Sequence, residues 1–213
     1  MISRFIRRSS IALCALGLIM APRAAQGQLA WTLGAGVAYP SGNFAHYFDL
    51  GPTVSVGVVH PLRERLDVSV DGVFDHYNGH SYYGTPNVNL WRLQVGVLAD
   101  LLGGGTESWA VQAQAGAGGS NLRSQREFYS EASTFGTDLN AHTFAKTSFT
   151  GSAGLRIRFG GESRLKGHFG VSGYWANLGT GATEVLRQTE PQTLKPLSSA
   201  LGYAVSLGFT MSP

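Results

Sequence analysis

An alternation of apolar residues with small or polar ones, at a period of two, recurs eight times between Leu29 and Phe209. In the first run, Leu29–Tyr39, apolar residues occupy every second position, and Ala, Gly or Thr stands between them. Because successive side chains of a strand point to opposite faces, this period predicts a strand with two unlike faces. The 29 glycines suit closely packed strands and turns. We therefore predict an all-β chain with a single domain.

The connections between these eight runs alternate between short and long. The short ones lie near residues 61–64, 103–107 and 160–163, and the long ones span about residues 40–52, 76–89, 119–147 and 178–197. Short turns at one end and long loops at the other, with an even number of strands, are typical of a transmembrane barrel. We predict an eight-stranded antiparallel up-and-down transmembrane β-barrel with both termini at the short-turn end.

The two faces of the predicted strands differ in a way that indicates which one meets lipid. The small face carries the charged residues, which suits a narrow lumen better than a water-facing exterior. On the apolar face, aromatic residues stand at the strand ends: Trp31, Trp109, Phe159 and Phe209 near the short turns, and Tyr39, Phe74, Trp91, Phe149 and Trp175 near the long loops. Two aromatic rings around an aliphatic band are the girdles of a membrane barrel. They argue against the alternative, a soluble barrel whose apolar face points inward.

The first 27 residues predict a secretory signal peptide. Met1–Arg8 carries three arginines and no acid, and the apolar run that follows at Ser9–Ala21 is too short for a spanning helix of ~20 residues. Ala25 and Gly27 fit the small-residue positions of a cleavage site before Gln28. We predict a signal peptide at residues 1–27 and an outer-membrane barrel domain at residues 28–213; an N-terminal membrane anchor is the alternative.

Removal of this segment changes the charge of the chain. Four of the 16 basic residues and the single cysteine lie in it, which leaves 12 basic residues against 13 acidic ones. No basic surface then remains to neutralise phosphates, so the composition excludes a nucleic-acid partner. Without cysteine, the mature chain depends on neither a disulfide nor a cysteine-bound zinc ion.

The charged residues of the small face are predicted to share roughly one layer near the short turns. The acidic ones are Asp67, Asp71 and Asp100, and the basic ones are Arg156, Arg158 and Lys166. An eight-stranded barrel is just wide enough for side chains to fill, and unpaired charges in that space are costly. We predict that the two groups pair across the lumen and plug it. A gated ion conduit is the alternative.

The chain resembles the small outer-membrane β-barrel proteins of Gram-negative-type bacteria, the OmpA/OmpX-like architecture. Tyr39–Phe44 (YPSGNF) is similar to the Pro-x-Gly-x-Phe segment found after the first strand of such barrels, and Gly202–Phe209 is similar to their last strand. This chain continues past Phe209 to Pro213, where many of those barrels end on the aromatic residue. The resemblance implies a location in the outer membrane and insertion by the barrel-assembly machinery.

The long loops carry aromatic and basic residues, which are typical of recognition surfaces on a rigid scaffold. Those singled out are Tyr77, Tyr82 and Tyr83 in the second loop and, in the third loop, Ser120 to Thr147, Arg123, Arg126, Glu127, Phe128, Tyr129, Glu131, Phe135 and Phe144. The sequence identifies no surface ligand for them.

No catalytic, metal or cofactor site is predicted. His168 and Ser172 share a strand face, but four residues of strand place them ~13 Å apart, and both point away from lipid. His76 and His80 lack a third ligand, and no helix follows the glycine-rich stretches. The favoured function is a non-enzymatic, monomeric barrel with a structural or surface-interaction role, surrounded by outer-membrane lipid. A narrow passive pore comes second, and a lipid A-modifying enzyme third.

Overall fold

The computed structural model describes residues 29–80, 87–104, 107–124, 145–161, 163–179 and 197–213. Its strands are β1 (Ala30–Ser41), β2 (Phe48–Asp49), β3 (Gly51–Arg63), β4 (Leu66–Gly79), β5 (Val88–Gly103), β6 (Trp109–Ser124), β7 (Ala145–Phe159), β8 (Leu165–Asn177) and β9 (Ser199–Met211). A single 3-10 turn is described, at Phe44–His46. Within these ranges, no helix has the length and apolar character to cross a membrane. The predicted signal peptide lies outside the described residues.

Eight of these strands form one closed antiparallel barrel. Each barrel strand pairs with its neighbours in chain order, and β1 closes the ring by pairing with both β3 and β9. The remaining strand, β2, has two residues and lies in the first long loop, where Phe48 pairs with Gly79 at the end of β4. The prediction of an all-β, eight-stranded antiparallel up-and-down barrel is confirmed.

Large apolar side chains cover the outside of the barrel. Trp91, Leu155 and Leu207 are 57%, 54% and 63% exposed, whereas the next residues on two of these strands, Arg92 and Arg156, are buried inside. A soluble barrel would bury its apolar face and expose its charges. The predicted orientation of the two faces is therefore confirmed, and the inward-facing alternative is wrong.

The strands extend further toward the long loops than predicted. Segments 76–89 and 119–147 were expected to be loops, yet the structure has strand as far as Gly79 and Ser124, and again from Val88 and Ala145. Most outward residues of these extensions are polar; Asn121 Nδ2, for example, donates to Thr147 Oγ1 at 2.9 Å. Because the apolar half of the alternation is missing there, the sequence pattern resembles a loop.

The new bounds also change how two predicted loop residues are interpreted. Tyr77 lies on β4 and is fully buried in the lumen, so its predicted role in a recognition loop is wrong. Arg123 lies on β6 rather than in the third loop, and its side chain is exposed. The remaining residues singled out in these loops lie outside the described ranges: Tyr82, Tyr83, Arg126, Glu127, Phe128, Tyr129, Glu131, Phe135 and Phe144.

Gly118 and Gly119 on β6 provide a matched test of how closely the strands approach. A Cβ atom on Gly118 would lie 1.9 Å from the carbonyl oxygen of Leu93, whereas one on Gly119 would have nothing within 4 Å. We expect Gly118→Ala to lower the free energy of unfolding by about 1–3 kcal/mol, because β5 must shift. Gly119→Ala is expected to change it by under about 0.5 kcal/mol. Urea unfolding in lipid vesicles measures both, and equal effects would contradict this packing.

Candidate functional site: the barrel lumen

The long-loop end of the lumen is filled by aromatic side chains. The first long loop supplies Phe44, Tyr47 and Phe48, which are 0%, 1% and 3% exposed. The ring of Phe44 lies 4.7 Å from that of Phe48 and 5.1 Å from that of Tyr77. The hydroxyls of Tyr77 on β4 and Tyr174 on β8 are hydrogen-bonded to each other. We call these five residues the outer plug.

Backbone contacts fix the loop that carries the outer plug. Gly42, with a φ of 58°, turns the chain after β1, a backbone conformation that favours glycine. The N–H of His80 donates to the carbonyl of Tyr47 at 2.9 Å, and Asn78 Nδ2 donates to the carbonyl of Leu50 at 3.1 Å. These bonds hold the loop against the end of β4 with its aromatic side chains inside the barrel.

A buried ion pair lies directly below the outer plug. Arg92 donates from Nε and Nη2 to Asp75 Oδ2 at 3.1 and 2.8 Å, and both side chains are almost fully buried. Thr53 Oγ1 donates to the other carboxylate oxygen of Asp75 at 2.6 Å. The guanidinium of Arg92 also stacks over the ring of Tyr174, 4.1 Å from its centroid. Neither Asp75 nor Arg92 belongs to the charge network predicted from the sequence.

Below this ion pair, a polar cavity of about 120 Å³ lies inside the barrel. We call it the central cavity. Its lining includes Asp71, Arg156 and His168, together with Gln94 and several serine hydroxyls. Ser152 Oγ donates to Gln94 Oε1 at 2.8 Å, which ties β5 to β7 across the intervening strand.

A second polar group, which we call the inner layer, lies between the central cavity and the short turns. Gln112 is fully buried at its centre, and it accepts from Nε and Nη2 of Arg156 at 2.9 and 2.6 Å. Gln112 Nε2 donates to Asp100 Oδ1 at 2.6 Å. Asp100 also forms an ion pair with Arg158 at 3.5 Å. The side-chain amide of Gln112 thus connects Arg156 to Asp100.

The structure brings together part of the predicted charge network. Asp100 contacts Arg158 directly, whereas Asp71 accepts from Ser69 Oγ at 2.5 Å. Asp67 lies near enough for electrostatic interaction with Asp100, which repels it, and with Arg158, Arg156 and Lys166, which attract it. Missing from the sequence prediction were Gln112 as the connecting group and the Asp75–Arg92 pair.

The predicted girdle residues lie on the outward face at both ends of the strands. Near the short turns, Trp31, Trp109, Phe159 and Phe209 are 57%, 46%, 47% and 41% exposed. Near the long loops, Trp91, Phe149 and Trp175 are 57%, 58% and 41% exposed, and Tyr39 and Phe74 are half-buried. Tyr39 stacks on Tyr203 at 5.0 Å, and Phe74 packs on Trp91 at 4.4 Å.

Other candidate chemistry does not assemble in the described part of the chain. No group of three or more His, Cys, Asp or Glu side chains there could hold a metal ion. His76 Nδ1 is hydrogen-bonded to Asn89 Oδ1 at 2.8 Å on the barrel exterior. His168 and Ser172 both line the central cavity, so they point away from the lipid-facing surface.

Comparison with known proteins shows a similarity of fold. No protein-family model and no curated protein matches this sequence. Among solved structures, Neisserial surface protein A (NspA) superposes with a TM-score of 0.59 at 10% identity, over 90% of this chain and 100% of that one. A major outer membrane protein from Thermus thermophilus gives a TM-score of 0.51 at 13% identity, over 86% and 98%. The chain has the fold of the small outer-membrane β-barrels.

Proposed function

We propose that this protein is a non-enzymatic barrel of the cell outer membrane, with a closed lumen and a structural or surface-interaction role. The observation that carries the proposal is the apolar exterior, bounded at both ends by aromatic side chains. Such a surface is unfavourable in water, because the removal of apolar surface from water is favourable. Soluble proteins accordingly rarely expose contiguous apolar patches larger than a few hundred Å². Lipid is the environment that accommodates it.

The height of the apolar exterior supports this proposal. Phe149 and Phe159 mark its two edges on β7 and are both exposed. The strand between them is about 33 Å long, and a tilt of ~40° reduces its height to about 25 Å. An outer-membrane barrel has an apolar band of about 25 Å. The band on this barrel therefore matches the membrane that we propose for it.

We propose further that the lumen does not conduct ions. The outer plug and the inner layer provide two successive barriers, one aromatic and one made of hydrogen-bonded charges. The predicted charge network takes part in the second barrier through Asp100, Arg156 and Arg158. Because each buried charge there has a hydrogen-bond partner, an ion that entered would have to replace those contacts.

Planar-bilayer recording tests the closed lumen. We expect no steady ohmic conductance from the purified protein at any moderate voltage. A reproducible single-channel conductance would contradict the closed lumen and favour the narrow passive pore. A lipid A mass profile with and without expression tests the third possibility, lipid modification, and we expect the two profiles to be identical.

The apolar exterior leads to a prediction about Leu155, which is 54% exposed and lies near the middle of the apolar segment between Phe149 and Phe159 on β7. Leu155→Arg is expected to lower the free energy of unfolding in lipid vesicles by about 2–4 kcal/mol, because it places a charge near the bilayer midplane. The matched control is Thr147→Arg on the same face of the same strand, beyond Phe149. There the expected cost is about 0–1 kcal/mol.

Urea titration of both variants in the same vesicles provides the comparison. Equal costs at the two positions would mean that the exterior is not embedded in a bilayer as proposed. A larger cost at Thr147 would invert the assignment of membrane depth along β7. Either result would contradict the proposed location.

The remaining parts of the proposal concern biogenesis and contacts. We propose that residues 1–27 direct export, that the barrel-assembly machinery inserts the mature chain, and that the barrel is a monomer surrounded by outer-membrane lipid. The apolar exterior supports the lipid contacts, and the last strand, β9, supplies the C-terminal pattern noted in the sequence. The surface-interaction role would belong to the long loops, at the opposite end from both termini.

A further inference from the structure

We propose that the central cavity binds a small zwitterionic solute, a molecule with one carboxylate and one ammonium group. This inference goes beyond the structural role proposed above. It depends on two opposite charges that face the cavity without contacting each other. Asp71 lines it from β4 and Arg156 lines it from β7.

The hydrogen bonds of these two side chains leave part of each charge available. Asp71 uses Oδ2 to accept from Ser69 at 2.5 Å. Arg156 uses Nε and Nη2 to donate to Gln112, which leaves the donors of Nη1 for another partner. Arg92 pairs with Asp75 and Arg158 pairs with Asp100, and in the described part of the chain no ion pair joins Asp71 to Arg156.

A third side chain on the cavity wall adds a buried polar atom that has no hydrogen bond. His168 is 7% exposed, and its Nδ1 atom is buried without a hydrogen bond. Buried polar atoms of this kind are nearly always satisfied by protein, water or a ligand. Together with Asp71 and Arg156, His168 gives the cavity more hydrogen-bonding capacity than its own side chains use.

The size of the cavity limits the class of solute. A protein cavity of about 150 Å³ can hold one benzene molecule. The central cavity, at about 120 Å³, therefore admits a molecule slightly smaller than benzene. Glycine has fewer non-hydrogen atoms than benzene and carries both charges. Its carboxylate would bind Arg156, its ammonium would bind Asp71, and neighbouring hydroxyls such as Ser152 would surround it.

The experiment measures glycine binding to the full barrel in lipid nanodiscs. The protein is refolded at a series of concentrations of radiolabelled glycine, with or without a competitor, so that no solute has to pass the outer plug; the label retained after rapid gel filtration then gives the affinity. Unlabelled glycine, acetate, methylammonium and glycerol serve as competitors. We expect saturable, stoichiometric binding that glycine displaces at least about tenfold better than either singly charged solute, because each lost charged hydrogen bond weakens binding by that factor.

Three variants locate the site. Asp71→Asn and Arg156→Gln should each weaken glycine binding by at least about tenfold. Ser206→Ala also alters a cavity-lining side chain, but it removes no charge, so it should weaken glycine binding less than either charge variant does. Circular dichroism confirms that each variant is folded.

The wild-type protein alone can overturn the proposal. An absence of saturable glycine binding, or displacement by glycerol as effective as that by glycine, would show that the cavity holds water only. Loss of binding in Ser206→Ala equal to that in the charge variants would also overturn it. None of these outcomes changes the expected absence of conductance, so this proposal can fail while the proposed closed barrel stands.

Discussion

Replacing Arg92 with methionine is expected to lower the free energy of unfolding by about 3–5 kcal/mol, because it leaves the carboxylate of Asp75 buried without its counter-charge. Arg92 and Asp75 are 4% and 0% exposed, so water cannot replace the lost contact without opening the barrel. The same change also removes the guanidinium that stacks on Tyr174 in the outer plug. Urea unfolding in lipid vesicles measures the loss.

Two further variants separate the cost of an unpaired charge from the cost of lost packing. Adding Asp75→Asn to Arg92→Met should recover part of the stability, because a neutral amide still accepts from Thr53 and carries no charge. Arg158→Met is the matched control: its ion pair with Asp100 is longer, at 3.5 Å, and the arginine side chain is 19% exposed. It should cost less than about 2 kcal/mol. An Arg92→Met cost no greater than that of Arg158→Met would contradict the assigned role of the ion pair.

The barrel could be predicted from the sequence because its determinants are local. The alternation along Leu29–Tyr39 and its repeats assigns each side chain to a face without any knowledge of pairing. The girdle residues follow from their positions at the strand ends. Polar outward residues such as Asn121 interrupted the pattern, which is why the extensions of the strands above the membrane were missed.

The contacts inside the lumen could not be predicted in the same way, because they depend on the register between strands. The register pairs Gln112 with Arg156 directly, and it pairs Val73 with Arg92, which places Asp75 diagonally next to Arg92. Both contacts join neighbouring strands, whereas the sequence argument sought partners across the lumen. A register error of one residue would have moved each of these side chains to the lipid face.

The outer plug was missed for a different reason. Phe44, Tyr47 and Phe48 belong to a loop without a period, and nothing in their spacing indicates whether they face solvent or the lumen. Their burial depends on the loop folding back against the end of β4 through Tyr47 and His80. In the sequence, Phe44 contributed only to the family resemblance, as the last residue of the Tyr39–Phe44 segment.

Phe44→Ala is expected to lower the free energy of unfolding by about 3–5 kcal/mol, because it removes a fully buried ring that packs on Phe48 and Tyr77. Leu50→Ala is the control in the same loop: Leu50 is 52% exposed, and its loss should cost about 0.5 kcal/mol or less. Urea unfolding in lipid vesicles compares the two variants. Equal costs would mean that the loop does not enter the barrel.

Conductance of the Phe44→Ala variant distinguishes the two barriers. The substitution opens space at the long-loop end, but the inner layer of Gln112, Asp100 and Arg156 remains intact on the other side of the central cavity. We therefore expect planar-bilayer recordings of this variant to stay closed despite its lower stability. Combining Phe44→Ala with Gln112→Ala removes the connecting amide as well, and a steady conductance should then appear. Conductance from Phe44→Ala alone would show that the outer plug is the principal barrier and that the inner layer already admits ions.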